Sequence, residues 1–287
     1  MHNPDAKIVV LTNKKQKLAL SLLGAEPISW RVDDQEYLWQ ADPDIWDGTA
    51  PLLFPVVGAC RNGSILVEVR SYPMPQHGFA KDMEFVLIRK TNNQVHLRLG
   101  DTEESRKHFP FAFQLDVEVT LLDEGFAYQC KVTNTDHKVL PYAIGFHPGI
   151  NWPAAMGKVV FEKPERPDIP KIVTGGLLSR QNRKLDFDGE TLLLEADIFQ
   201  QGALVFRDAK SKDLTLINNN GEGVIFSVSE CRHLALWSKP QVPFLCLEAW
   251  SSHADWEGFS GEIQDKDTMV MLPAGQSKQH GYSLKII

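Results

Sequence analysis

The chain has 287 residues, 43% of them hydrophobic and 23% charged, with a formal net charge of −7. That balance supports a sizeable core and excludes the low-hydrophobicity, high-charge regime in which chains stay disordered. An acidic chain has no electrostatic footprint for phosphate backbones or anionic lipid, so neither nucleic acid nor a membrane is an expected partner. The first seven residues lack an apolar signal core, and no later run of about eighteen apolar residues could span a bilayer, which predicts a cytoplasmic protein.

In chain order, short apolar or alternating runs follow one another at residues 17–23, 83–88, 95–99, 111–121, 203–206, 214–217, 224–228, 234–237, 244–247 and 269–272. The clearest is 111–121, where Phe111, Phe113, Leu115, Val117, Val119 and Leu121 alternate with mostly polar residues, the period of a strand with one buried face. Asp123, Glu124 and Gly125 supply a turn, and alternation resumes at Phe126, Tyr128, Cys130 and Val132, so 111–133 reads as an antiparallel hairpin. Connectors at 41–51, 151–157 and 218–223 are rich in Pro, Gly, Asn and Asp, the chemistry of turns. Only 101–107 and 195–201 invite a short helical turn. Residues 163–190, with Pro164, Pro167, Pro170, Gly175 and Gly176, form the weakest stretch and read as a long excursion rather than a domain boundary. Many strands without βα alternation predict an all-β protein, a large antiparallel β-sandwich, as a single domain over 1–287. Cys60, Cys130, Cys231 and Cys246 show no Cys-x-x-Cys pairing and read as buried free thiols.

A few side chains stand out against this strand-rich background. His147, between Phe146 and Pro148, directly follows an apolar run and sits at an expected strand end, where it could face a pocket or simply bond a turn carbonyl. His77 precedes Gly78, which would let a ligand or another strand approach the backbone. Glu248 interrupts Phe244-Leu245-Cys246-Leu247 and Ala249-Trp250; a carboxylate there needs a partner, and burial raises its pKa toward the range of a general base. Arg61 is either that partner or a ligand fork. Trp237, before Ser238, Lys239 and Pro240, is either a core residue or a stacking face for a sugar. No His-x-His, His-x-x-x-His or His-Glu-x-x-His spacing, nucleophile elbow or phosphate-cradling loop is visible, so no cofactor or metal is expected. The reaction should be one that proton transfer alone can drive.

Taken together, Pro55 to Gly63, His77-Gly78-Phe79-Ala80, Gly145-Phe146-His147-Pro148, Trp237-Ser238-Lys239-Pro240 and Cys246-Leu247-Glu248-Ala249-Trp250 resemble, in that order, segments of the aldose 1-epimerase (galactose mutarotase) family, within it the bacterial LacX-like branch. The resemblance spans essentially the whole chain. It implies a β-supersandwich, with Glu248 as general base at the anomeric hydroxyl and His147 as general acid at the ring oxygen. It further implies that His77 and Arg61 hold hydroxyls or developing charge, with Asp82 as an orienting group. The substrate would be a small-molecule sugar or sugar phosphate, and Arg61 and Lys239 are candidate phosphate contacts. Ala249 stands where the branch has proline, Ser251-Ser252 where it has Tyr-Gly, and Gly202 where it has an aspartate. Two other readings remain: a sugar-binding protein without turnover, and a hydrolase or lyase using a second carboxylate among Asp82, Glu84 and Asp255. The mutarotase reading requires His77, His147, Arg61 and Glu248 to line one pocket, with Trp237 or Phe146 against the sugar's apolar side.

Overall fold

The computed structural model describes residues 7–153, 156–195 and 197–287. Among these, nine strands make one antiparallel sheet in the order Thr191–Leu193, Lys158–Phe161, Asp213–Ile217, Gly223–Ser229, Ser277–Ile286, Gly125–Asn134, Phe113–Leu122, Gln94–Gly100 and Val86–Lys90. The expected hairpin is Phe113–Leu122 paired with Gly125–Asn134. A second sheet orders Leu204–Phe206, His233–Trp237, Phe244–Trp250, Gly145–Phe146 and Leu52–Leu53, with Gly149–Asn151 also on Phe244–Trp250. Ile8–Thr12, Gln16–Ser21, Pro27–Val32 and Gln35–Glu36 form a third.

The two large sheets meet face to face. Phe146 of the second lies 5.7 Å and 5.3 Å, ring centre to ring centre, from Tyr128 and Tyr282 of the first, which stack on each other at 5.4 Å. Trp30 of the third sheet packs edge-on against Phe126 at 5.3 Å. Alternation decides which side chains join this interior: Leu115, Val117, Val119 and Leu121 point in from one strand, and Phe126, Tyr128, Cys130 and Val132 from its partner. Among the described residues no helix is long and apolar enough to cross a membrane.

Three local expectations change. The run at 83–88 becomes the edge strand Val86–Lys90, with Val86, Leu87 and Ile88 exposed, because at this edge of the sheet neither face of the strand is packed. Of the two helical turns, 101–107 yields Glu103–Arg106, capped by Thr102 Oγ1 accepting from the Ser105 N–H, whereas the described part of 195–201 is only turns. The excursion at 163–190 contains a hairpin, Asp168–Val173 with Leu177–Lys184. Its sequence hid this because the hairpin pairs with neither large sheet and so shows little apolar alternation. All four cysteines are buried and unpaired, and burial pushes the Cys60 thiol up to about 11 and Cys231 to about 12.

Gly78 shows which of its two expected neighbours it serves. Its φ is +73°, and a Cβ there would stand 2.1 Å from the Phe54 carbonyl oxygen, so the close approach is by another backbone segment. Phe79 and Ala80 both donate their N–H to that oxygen. Gly78→Ala is therefore expected to destabilise the protein by about 2–4 kcal/mol, left-handed strain adding to overpacking. A denaturant midpoint within error of wild type would refute this account of the turn.

Candidate active site

The strand Phe244–Trp250 is buried along its whole length, which means both faces of this strand are covered. Leu245, Leu247 and Ala249 join the large sandwich core, while Phe244 and Cys246 belong to a separate small apolar cluster with Trp39, against which Trp46 and Trp237 pack. Glu248 shares the face of Phe244 and Cys246 by the two-residue period. Gly145 and Phe146 pair with Trp250 and Ala249, and Gly149 pairs with Cys246, so His147 falls opposite Glu248 in the same register. Residues directly opposite on neighbouring strands share a face. His147 Nε2 is accordingly 3.2 Å from Glu248 Oε2.

A cavity of about 530 Å³ opens over this pair, lined among others by His77, Asp82, His147, Trp237 and Glu248. His77 arrives from the Gly78 turn with its own φ at +66°. Its Nδ1 accepts the Gly58 N–H at 3.1 Å, so the neutral ring carries its proton on Nε2, which lies 3.3 Å from the Gln76 side-chain amide. Its ring stands edge-on to that of His147, centres 5.7 Å apart. The other nitrogen of His147, Nδ1, is buried without a hydrogen-bond partner.

Burial dominates the electrostatics. Glu248, 1% exposed, is held well above the usual carboxylate range by desolvation, opposed by the Trp250 Nε1–H that donates to Oε2 at 3.0 Å. His147 is pushed down to about 3 by burial and then by His77. His77 is pushed down to about 4 by burial and then by Lys81. A raised carboxylate is a stronger base than a free one, and a depressed imidazolium a stronger acid.

Not every sequence candidate reaches the cavity. Arg61 lies outside it: Nη1 donates to the Phe259 carbonyl at 2.9 Å, and its backbone N–H donates to Asp255. Arg61 opens the tight turn Arg61–Gly63 and its side chain lies against the neighbouring 259–261 loop, so it cannot also face the ring. Lys239 is likewise outside, with Nζ on the Ile45 carbonyl, so neither cation suggested for a phosphate is at the site. Phe146 points into the sandwich core, since it is one residue out of phase with His147. Asp82 does line the cavity, 2.6 Å from Lys81 Nζ. Of the other carboxylates proposed for a hydrolase, Glu84 pairs with Lys7 at 2.8 Å and Asp255 with buried Lys266 at 2.7 Å.

Trp46 was not singled out from sequence. Its ring centre is 5.2 Å from that of His147 and 5.5 Å from that of Trp237, so the three rings form one wall. Gly149 makes room for it, because a Cβ there would stand 2.6 Å from the Trp46 ring. A tryptophan in a turn-rich loop with no strand of its own to bury it was the available signal. The departures from the family pattern also find places. Ala249 faces the core and leaves the cavity untouched, whereas Gly202 lines the cavity with Ile172 3.2 Å from where a Cβ would stand. Ile172 thus presents an apolar surface beside Gly202.

The aldose 1-epimerase family model matches residues 7–285. The chain belongs to the aldose 1-epimerase family. It is accordingly an isomerase, with a galactose mutarotase-like β-sandwich. Protein LacX of Lactococcus lactis subsp. lactis, in plasmid and chromosomal forms, is 30% identical over 297 residues, covering 97% of this chain and 99% of the relative. A galactose mutarotase related enzyme from Lactobacillus acidophilus superposes with a TM-score of 0.91 at 26% identity, over 98% of this chain and 97% of its own. A galactose mutarotase-like protein from Lactobacillus casei gives 0.92 at 26%, over 98% and 100%.

The raised pKa of Glu248 has a thermodynamic consequence. A carboxyl whose folded value lies above its unfolded value of 4.5 contributes its full stability below that unfolded value and progressively less as pH rises from there to the folded value, since the folded state resists ionisation. Glu248→Gln, which mimics the neutral acid, should therefore gain stability over wild type by up to about 1.4 kcal/mol per pH unit above pH 4.5 until the folded value is passed. Unfolding free energies at several pH values check this, and a pH-independent difference would show that Glu248 is not raised.

Proposed function

We propose that the protein interconverts the α and β anomers of an aldose, an aldohexose or its phosphate, with Glu248 as general base and His147 as general acid. The observation that carries this reading is the cross-strand contact of a buried carboxylate and a buried imidazole, 3.2 Å apart in a cavity, with pKa values displaced in opposite directions.

Anomerisation needs the anomeric O–H proton removed and the ring oxygen protonated. In the ionised pair, carboxylate plus imidazolium, Glu248 takes the first proton and His147 delivers the second. The bond between the anomeric carbon and the ring oxygen breaks, and the aldehyde forms. Rotation about the C1–C2 bond and the reverse transfers close the ring on the other face. After opening, the pair is a carboxylic acid beside a neutral imidazole, the form that desolvation favours for both groups. Burial thus works in the direction of proton transfer. The short contact lets the resting pair pass its proton from Glu248 to His147 without solvent. His77, as an Nε2–H donor, is suited to hold a hydroxyl, and Trp46 and Trp237 offer apolar ring faces.

Glu248→Gln should lower the anomerisation rate of a responsive sugar by roughly two to four orders of magnitude in a polarimetric assay, because an amide keeps the shape and cannot accept the proton. Near-normal turnover would remove the general base. For wild type, the rate should be flat with pH while the pair keeps its single shared proton. It should fall on the acid side near His147's value of about 3, where the base is lost, and on the alkaline side once the raised Glu248 ionises and no acid remains. A rate that tracks one group with an ordinary histidine pKa would contradict the coupled pair.

A further inference from the structure

We propose that the cavity continues into an anion subsite formed by Arg180 and Arg207 against the ring of Trp256, and that the sugar carries a phosphate or carboxylate remote from its anomeric carbon. This deepens the preceding reading and rests on it only for the sugar.

Three segments lead away from the cavity wall. Leu178, Val205 and Ala254 line the cavity, and two residues further along each segment stand Arg180, Arg207 and Trp256. The intervening residues establish that each pair shares a face. Ser179 turns away to donate to Glu257, Phe206 packs against Phe161 with ring centres 4.8 Å apart, and Asp255 points to Lys266 at 2.7 Å. Leu178 bridges directly to Trp256, which locks two of the segments together. Side chains two residues apart on an extended chain are separated by about 6.4–6.8 Å, so Arg180 stands one such step beyond Leu178, and Trp256 is bridged to the cavity wall at Leu178 itself.

The cluster has the composition of an anion site. The guanidinium carbons of Arg180 and Arg207 lie 4.8 and 4.7 Å from the centre of the same indole ring. Both side chains belong to exposed residues. Of the nearby carboxylates, Asp208 pairs with Arg232, Glu257 accepts from Ser179, and Asp267 accepts the Nε1–H of Trp256 itself at 2.7 Å. Among the described residues neither arginine makes an ion pair, although Asp208 feels the charge of Arg207, and both guanidinium groups lie against the ring of Trp256. His233 and His253, packed behind Trp256, are held neutral by burial and add no competing charge. Guanidinium forks match the oxygen geometry of phosphate and carboxylate, and the ring holds their stems in place.

Calorimetry at low salt with glucose 6-phosphate, glucuronate and glucose, and with the galactose counterparts, tests the proposal independently of turnover. At least one anionic sugar should bind at least about tenfold tighter than its neutral parent, and the preference should shrink as salt is added. Which anion gains more distinguishes phosphate from carboxylate. R180Q and R207Q should each reduce the ratio of anionic to neutral affinity by about tenfold, and the double variant should abolish it. The ratio cancels general damage from substitution. Equal affinities for charged and neutral sugars, undetectable binding of every anionic sugar, or a preference that survives in the double variant would overturn the subsite. Failure of Glu248→Gln to slow anomerisation would instead remove the acid–base reading and leave this ratio unaffected.

Discussion

The desolvation of one carboxylate is the constraint around which the site is organised. Glu248 lies in the middle of a strand with no exposed residue, where an unpartnered charge would cost several kcal/mol. The fold meets that cost with two contacts, the indole N–H of Trp250 and the imidazole of His147. Removing water from the carboxylate raises its proton affinity, and the same dryness weakens the proton affinity of the imidazole. The two are thereby made into a base and an acid by one physical cause.

That dryness requires a sheet covered on both sides. The inner face of the sheet that holds Phe244–Trp250 is covered by the nine-stranded sheet, whose Tyr128 and Tyr282 meet Phe146, as in any sandwich. The outer face, which in an ordinary sandwich would meet solvent, is covered by the loop that carries Trp46, by Trp237 on the neighbouring strand, and by the Gly78 turn that brings His77. Site and core are therefore the two faces of one sheet. Small residues permit the crowding: Gly149 admits the Trp46 ring, and Gly78 admits the Phe54 backbone.

Much of the fold was legible in the sequence because period-two alternation is a local property. The hairpin of Phe113–Leu122 and Gly125–Asn134 could be read from its alternating residues and the Asp123-Glu124-Gly125 turn. The hairpin over Asp168–Val173 and Leu177–Lys184 could not, since it pairs with neither large sheet and its strands are mostly polar or proline-containing. The residue types with chemical potential were also visible one by one: a histidine at a strand end, a glutamate in an apolar run, a histidine before a glycine. Arg61 and Lys239 had the same apparent standing. They parted from the others only when their side chains were found on the Phe259 and Ile45 carbonyls.

The sequence by itself determined the all-β class, the faces of the regular strands and, through the order of its short motifs, the resemblance to the aldose 1-epimerases. Tertiary structure decided who meets whom. Nothing in the spacing from His147 to Glu248 states that they stand opposite each other; that follows from the pairing of Gly145–Phe146 and Gly149–Asn151 with Phe244–Trp250. Nor does local sequence reveal that Trp46 covers His147, or that Arg180 and Arg207 both meet the ring of Trp256. Alternation is set by the backbone geometry of each strand alone, whereas register and loop placement are set by contacts between segments far apart in the chain, and those contacts exist only once the sheets have packed.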